Sequence, residues 1–461
     1  MSENTIGNDY NPLPKKEFLS YGVIGFGHSI TITTVNMFIA WFYTDFVGLP
    51  AAFAGAIFLF GRIIDALTDP MMGAIVDRTK SKIGKCLPWF FRMGLPLGIA
   101  TVLNFTVPDT SMAGKMAYCA VMYTLTYSFI NTAVAVPLAS LISRMTRNPG
   151  SLKSLSGLLP MVNMAGSLLG AIVQIPLITA FGFNMRAFIY VYSIYSGIGV
   201  ICMLLGAKNV KERVVTIKME KVEKVQEKRN LKKELGLLVT NKYWLLMVFS
   251  IVMFFTSQGL GANMIYLYAH VMGDANLNGI FGMANLLPMI IGIPIFITIA
   301  KRIRNRRLVI AVSTFIAALL FFLHSIDPVP VARNLIIVTI RSFALVPFIT
   351  LMYAMLVETI EYGEWKHGVR TEGLAFSAVS FAQKIGQAAT QAIGLFIMSI
   401  AGFDGTLAVQ TPSALRGVTH AVTTMGAVTF FILFILVLVN NLDKKMPEVL
   451  ENLKTRRAAN L

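Results

Sequence analysis

GRIIDALTDPMMGAIVDRTKSKIGK (61–85) closes an apolar run that begins at Ala51 and breaks into a short basic loop. The run from 51 to 77 is long enough to cross a bilayer, which takes about 20 apolar residues. It nevertheless carries Arg62, Asp65 and Asp69. An ionisable group at that depth costs at least ~2.5 kcal/mol, so such groups mark ion or solute pathways by default. Asp65 and Asp69 are four residues apart and share one face of a helix. Two carboxylates so placed repel unless a cation, a proton or a basic group lies between them. An oxygen cage for Na+, a shared proton, and a structural pair neutralised by Arg62 and a lysine from another helix all satisfy that requirement.

Working outward, the same kind of run recurs along the chain. Of 461 residues, 55% are hydrophobic and only 14% charged, against about 25% charged in soluble domains. The apolar runs predict twelve spanning helices. The first six lie near 18–47, 51–77, 88–107, 115–143, 157–181 and 187–206. The second six lie near 242–271, 276–300, 308–326, 332–357, 372–402 and 416–440. The expected organisation is a six-helix half over 1–206, a charged central loop over 207–241, a second six-helix half over 242–441 and a tail over 442–461. The first run is too long for a signal-peptide core.

Lysine and arginine are concentrated in alternate loops, with only Lys115, Arg186, Arg333 and Arg416 in the others. One set holds Lys15 and Lys16, the loop 77–85, Arg144, Arg147 and Lys153, the central loop, KRIRNRR (301–307), Lys366 and Arg370, and the tail. The other set is nearly bare of them and holds Asp45, Asp109, Asp274, Asp327 and Asp404. The positive-inside rule then places both termini and the central loop in the cytoplasm, and the chain in a cell membrane, a bacterial inner membrane by expectation. The formal net charge of +17 is thereby a matter of topology, and nucleic acid is no expected partner. The basic loops after the second helix of each half (77–85 and 300–307) form a weak internal repeat of the kind found in major facilitator folds.

Other chemistry is sparse. The five histidines, His28, His270, His324, His367 and His420, lack ligand spacing, and Cys86, Cys119 and Cys202 are scattered. An enzyme would need a nucleophile–base pair or a metal cluster, and a sensor would append a soluble domain, so transport is the class that remains. No cofactor and no metal beyond a coupling Na+ is expected. The expected partners are a small-molecule solute, a coupling Na+ or H+, and membrane lipid, with the carrier a monomer.

Several further groups are candidates. Lys384 lies deep in a span within FSAVSFAQKIGQAATQAIG (376–394), where a buried lysine wants a carboxylate, as a structural pair or as part of coupling. His28 and Ser29 sit in the first helix. Ser128, Asn131 and Thr132 sit in the fourth, as solute or cation ligands or as helix–helix hydrogen bonds. Between the tenth and eleventh runs, VETIEYGEWKHGVRTEG (357–373) brings together Glu358, Glu361, Glu364, Lys366 and Arg370. That segment is a solvated loop or, on the reading preferred here, a cytoplasmic gate.

RIIDALTDPMMGAIVDRTKSKIGKCLPW (62–89), VPLASLISRMT (136–146) and EYGEWKHGVRTEGLAFSAVSFAQKIGQA (361–388), with YGVIGFG (21–27) and YTDFVGL (43–49), resemble the glycoside–pentoside–hexuronide:cation symporter family. The matches fall in order across essentially the whole chain. The resemblance implies an all-α membrane protein of major facilitator fold and symport with Na+, Li+ or H+. It puts Asp65 and Asp69 at the cation-site aspartates and Lys384 at the nearby lysine; beside these, the polar groups of the spans themselves offer Asn131 and Thr132 as candidate cation ligands and Arg62, with Lys384, as a candidate coupling residue. The solute-site positions depart from the pattern. The helix I acid is replaced by Ser29, preceded by His28. The helix IV acid falls on Asn131 or Ala135, depending on which string anchors the alignment, and the helix V arginine falls on Leu159. The implied solute is a sugar, glycoside, pentoside or hexuronide, held among His28, Ser29, Asn131 and Ala135. An amphipathic non-sugar solute is the alternative that the uncharged wall leaves open.

Overall fold

The computed structural model describes residues 10–214, 236–300, 302–303, 305–369 and 371–459. Most of the central loop, Arg370, Lys301 and Arg304 therefore lie outside the described residues. The described chain is helical. In order come α1 (Lys15–Trp41), α2 (Ala51–Arg78), α3 (Leu87–Leu103), α4 (Met112–Met145), α5 (Pro149–Ala180) and α6 (Met185–Asn209). After the central loop come α7 (Lys242–Val271), α8 (Leu277–Ala300), α9 (Arg306–Ile326), α10 (Val331–His367), α11 (Glu372–Ile400), α12 (from Pro412 to Val439) and a short terminal α13 (Met446–Ala459). Ten of these are long and apolar enough to cross a membrane. Helix α3 is apolar but shorter, and α11, 29 residues long, carries Gln383, Lys384, Gln387 and Gln391.

Two boundaries differ instructively from the sequence reading. Helix α10 runs ten residues past the expected end, so Glu358, Glu361 and Glu364 stand on a helix and not in a loop. At 1.5 Å per residue its 37 residues span about 55 Å, well beyond a ~30 Å hydrocarbon core. Nothing in 358–367 breaks a helix. The stop comes at Gly368, whose φ of 72° is the left-handed cap that glycine adopts without a Cβ penalty. Helix α5 likewise starts at Pro149, not near 157: Asn148 accepts from the Ser151 N–H and Pro149 occupies the first turn, where its missing N–H costs nothing.

Contacts group the described residues of 1–218, 262–283 and 398–417 into one unit, and those of 219–261, 284–397 and 418–461 into another. In the first unit α1 packs on α5 and α6. Here glycines decide the approach: a Cβ on Gly27 would lie 2.5 Å from the Gly199 carbonyl oxygen, and one on Gly199 would lie 2.0 Å from Thr31 Oγ1. Between helices in lipid such close backbone contact replaces the hydrophobic drive. Most of α1 is buried on all sides, and it shows no amphipathic face.

The basic loop 77–85 is pinned from behind. The Glu212 carboxylate accepts from the backbone N–H groups of Lys85, Cys86 and Leu87, at 2.9, 2.7 and 2.8 Å, capping the start of α3. Arg213 pairs with Glu17, and Arg144 reaches Asp77 at 2.6 Å. We expect Glu212→Ala to lose about 1–2 kcal/mol, as a lost N-cap does, read as a lowered unfolding midpoint of the purified protein. An unchanged midpoint would remove this anchor. The three cysteines are free, and burial pushes the Cys86 thiol up to about 12, so it stays protonated. In the second unit α13 docks through Met446, Val449 and Leu453 onto Tyr243, Tyr362 and Leu442.

Candidate functional site

Helices α2 and α4 meet at Gly61, where a Cβ would stand 2.6 Å from the Tyr123 ring. That closeness lets Ser128 Oγ donate to the Gly61 carbonyl at 2.7 Å and Thr68 Oγ1 to the Ser128 carbonyl at 2.6 Å. One turn along, Asp65 is 4% exposed and accepts from Thr132 Oγ1 at 2.9 Å. Asp69 is half-buried on the same face of α2. Pro70 follows it without an N–H, so the Ala66 carbonyl lacks its ordinary i+4 donor and adds an oxygen to this region. Carboxylate, hydroxyl and carbonyl oxygens are the ligands a hard monovalent cation takes. Among the described residues the donor set thus fits Na+, and a carboxylate pair fits a proton equally.

Arg62 stands at the rim. Its Nη1 lies 3.8 Å from Asp65 Oδ2, too far for a hydrogen bond, while Nη2 donates to Asn36 Oδ1 at 3.3 Å and the guanidinium sits 5.7 Å above the Tyr127 ring. Counting only Asp65, Asp69 and Arg62, the formal charge is −1. A monovalent cation or a proton would bring it to zero.

The register of α4 depends on a π-helical turn over Leu125–Asn131. Such turns insert one residue into a helix and concentrate at functional positions. The inserted turn places Asn131 and Thr132 toward different partners. Thr132 meets Asp65, while Asn131 accepts from His28 Nε2 at 2.8 Å. Ser29, buried beside them, donates to the Asn163 carbonyl at 3.3 Å and presses on Gly166 of α5, whose Cβ would be 2.4 Å from its Oγ. Ala135 is half-buried one turn beyond Asn131. The chain thus brings together Asp65 with Thr132 and His28 with Asn131, and holds Arg62 near Asp65. Asn36, Thr68 and Tyr127, not singled out from sequence, complete these contacts. Thr68 had a readable cue, lying between the two aspartates; Asn36 and Tyr127 had none.

In the second unit Lys384 lies half-buried on α11, next to Gln383, which donates to the Tyr353 hydroxyl at 3.0 Å. Glu358 accepts from Arg306 at 3.1 Å, and Glu361 and Glu364 are half-buried on the same helix. Arg370 lies outside the described residues.

Residues 20–444 match the family described as MFS/sugar transport protein. The chain is 28% identical over 457 residues to the isoprimeverose transporter of Lactiplantibacillus pentosus, covering 97% of this chain and 93% of that one. It is 27% identical over 461 residues to a putative glycoside/cation symporter, YagG, of Escherichia coli (strain K12), covering 97% and 96%. Among solved structures it superposes on a bacterial homologue of the human lysosomal transporter Spinster, in an inward-facing and unoccupied conformation. There the TM-score is 0.65 at 14% identity, over 96% of this chain and 99% of that one, and the likeness is one of fold.

Proposed function

Because this chain belongs to the MFS/sugar transport protein family, and is a transporter and not an enzyme, we propose that it is a secondary symporter that binds its coupling cation at Asp65, Asp69 and Thr132 and carries a glycoside by alternating access. The observation that carries the site is the Thr132–Asp65 hydrogen bond within two apolar helices, with a second carboxylate one turn away. A bound cation offsets one of the two carboxylate charges, so the occupied site tolerates the low-dielectric interior better than the empty one.

The glycoside is supported by two relatives, one named for isoprimeverose and one for a glycoside. The amphipathic-solute alternative has no such support. In this reading the solute meets His28 and Asn131, with Ala135 shaping the wall and Ser29 orienting α1. Arg62 and Lys384 adjust the charge balance during coupling, and Asn131, bonded to His28, serves the solute more directly than the cation. Glu358, Glu361 and Glu364 gate the cytoplasmic side, with both termini in the cytoplasm of a bacterial inner membrane. The basic loops support that orientation. The coupling ion is Na+ or H+.

The test is uptake into energised membrane vesicles of labelled isoprimeverose and a panel of glycosides, pentosides and hexuronides, under a Na+ gradient and under a proton gradient. Uptake of one sugar that rises with one gradient supports the proposal. Indifference to both gradients for every sugar taken up would overturn it. In the same assay Lys384→Cys should lower gradient-driven accumulation by about tenfold or more while the protein remains in the membrane, because half-burying an ammonium in a span without a coupling role is unfavourable. Wild-type kinetics would reduce Lys384 to a packing residue.

A further inference from the structure

A second buried polar contact joins residues outside the cation site. Helix α1 ends in a π-helical turn, Phe42–Phe46, and α7 ends in another, Leu267–Val271. These turns bring Asp45 and His270, 225 residues apart, to an Oδ1–Nε2 distance of 2.5 Å. Sequence reading left both in the background, one as a loop acid and one as a dispersed histidine. Yet the side chains are only 8% and 15% exposed. Asp45 also accepts from Trp41 Nε1 at 2.9 Å and Thr44 Oγ1 at 2.6 Å, and Thr44 Oγ1 is 2.8 Å from the Tyr266 hydroxyl. Two cross-links therefore join the end of α1 to the end of α7.

The contact is also covered. Phe403 sets its ring edge against His270 at 5.0 Å and against Tyr266 at 5.5 Å. Gly405 passes so close that a Cβ there would lie 2.6 Å from Asp45 Oδ2. This end of α1 is the one remote from Lys15, at the opposite end of the helix from the basic loops.

We propose that the Asp45–His270 pair, seconded by Thr44–Tyr266, is a latch that holds the non-cytoplasmic entrance shut and breaks in each transport cycle. The inference rests on the transport reading and orientation given above. Hydrogen bonds excluded from water are strong enough to bias a two-state carrier, and they are lost as a unit once these two helix ends part. Asp45 and His270 are positioning residues: they set how much of the carrier stands open to the outside, and the cation site does not contain them. Removing either should raise the outward-open population.

The test uses Thr33→Cys, a half-buried position on α1 between Ser29 and Asp45, as a reporter in a background with Cys86, Cys119 and Cys202 replaced by serine. A membrane-impermeant maleimide is added to right-side-out vesicles. We expect Asp45→Asn and His270→Gln each to label about tenfold faster than the parent, since 1.4 kcal/mol shifts a population tenfold. In uptake the same variants should show a lower KM for external solute together with a lower maximal rate, a split that a merely structural defect would not produce. If Asp45→Asn fails to reach the membrane, His270→Gln and Thr44→Val, which removes the hydroxyl facing Tyr266, decide the matter. Parental labelling rates and an unchanged KM would overturn the latch. Labelling needs no solute, so a carrier inert to every sugar would defeat the proposed function and leave the latch to be judged on its own.

Discussion

Asp65→Cys is expected to lower gradient-driven solute accumulation at least ~100-fold while the protein still inserts in the membrane. The carboxylate is 4% exposed and lies between two apolar helices, where little water is at hand to screen its charge. Removing it takes the sum over Asp65, Asp69 and Arg62 from −1 to zero. The remaining set attracts a cation less strongly. Losing one partner of a buried charge constellation costs roughly 3–5 kcal/mol, which is two or more orders of magnitude in affinity. Accumulation within about tenfold of wild type, at equal protein in the membrane, would take Asp65 out of the cation site.

Thr132→Val is expected to act on affinity and spare the maximal rate. The substitution keeps the shape of the side chain and deletes only the hydroxyl that donates to Asp65 Oδ1 at 2.9 Å. A hydrogen bond to a charged group contributes about 1.5–3 kcal/mol, so the half-saturating cation concentration should rise roughly 10- to 100-fold. Saturating cation should restore the rate, because no charge has been lost and Asp65 still accepts the ion. The measurement is solute uptake against cation concentration in both proteins. A lowered maximal rate with unchanged half-saturation would assign Thr132 to packing between α2 and α4.

Much of this site was legible from residue spacing. Asp65 and Asp69, four apart in an apolar run, share one helix face, and the structure buries Asp65 and half-buries Asp69 there. The twelve-run pattern located every long helix, because an apolar stretch that must satisfy its backbone internally has few alternatives to a helix. What sequence could not reach were features that depend on long-range packing or on helix irregularity. Asn131 and Thr132 are adjacent in sequence, yet one meets His28 and the other Asp65, in a register that includes the π turn at Leu125–Asn131. The end of α10 lies beyond the apolar run because its charged residues continue the helix, and Gly368 stops it. The Asp45–His270 contact joins residues on α1 and α7 that no local pattern relates.

Coupling itself is read most directly by cation entry on solute addition. In de-energised vesicles, the sugar that the uptake panel identifies would be added without a labelled gradient, and external Na+ and pH followed by electrode. Cation disappearance from the medium upon sugar addition, present in the wild type and absent in Asp65→Cys, is the predicted result. Sugar entry with no movement of either cation, or cation entry undiminished in Asp65→Cys, would contradict symport through this site.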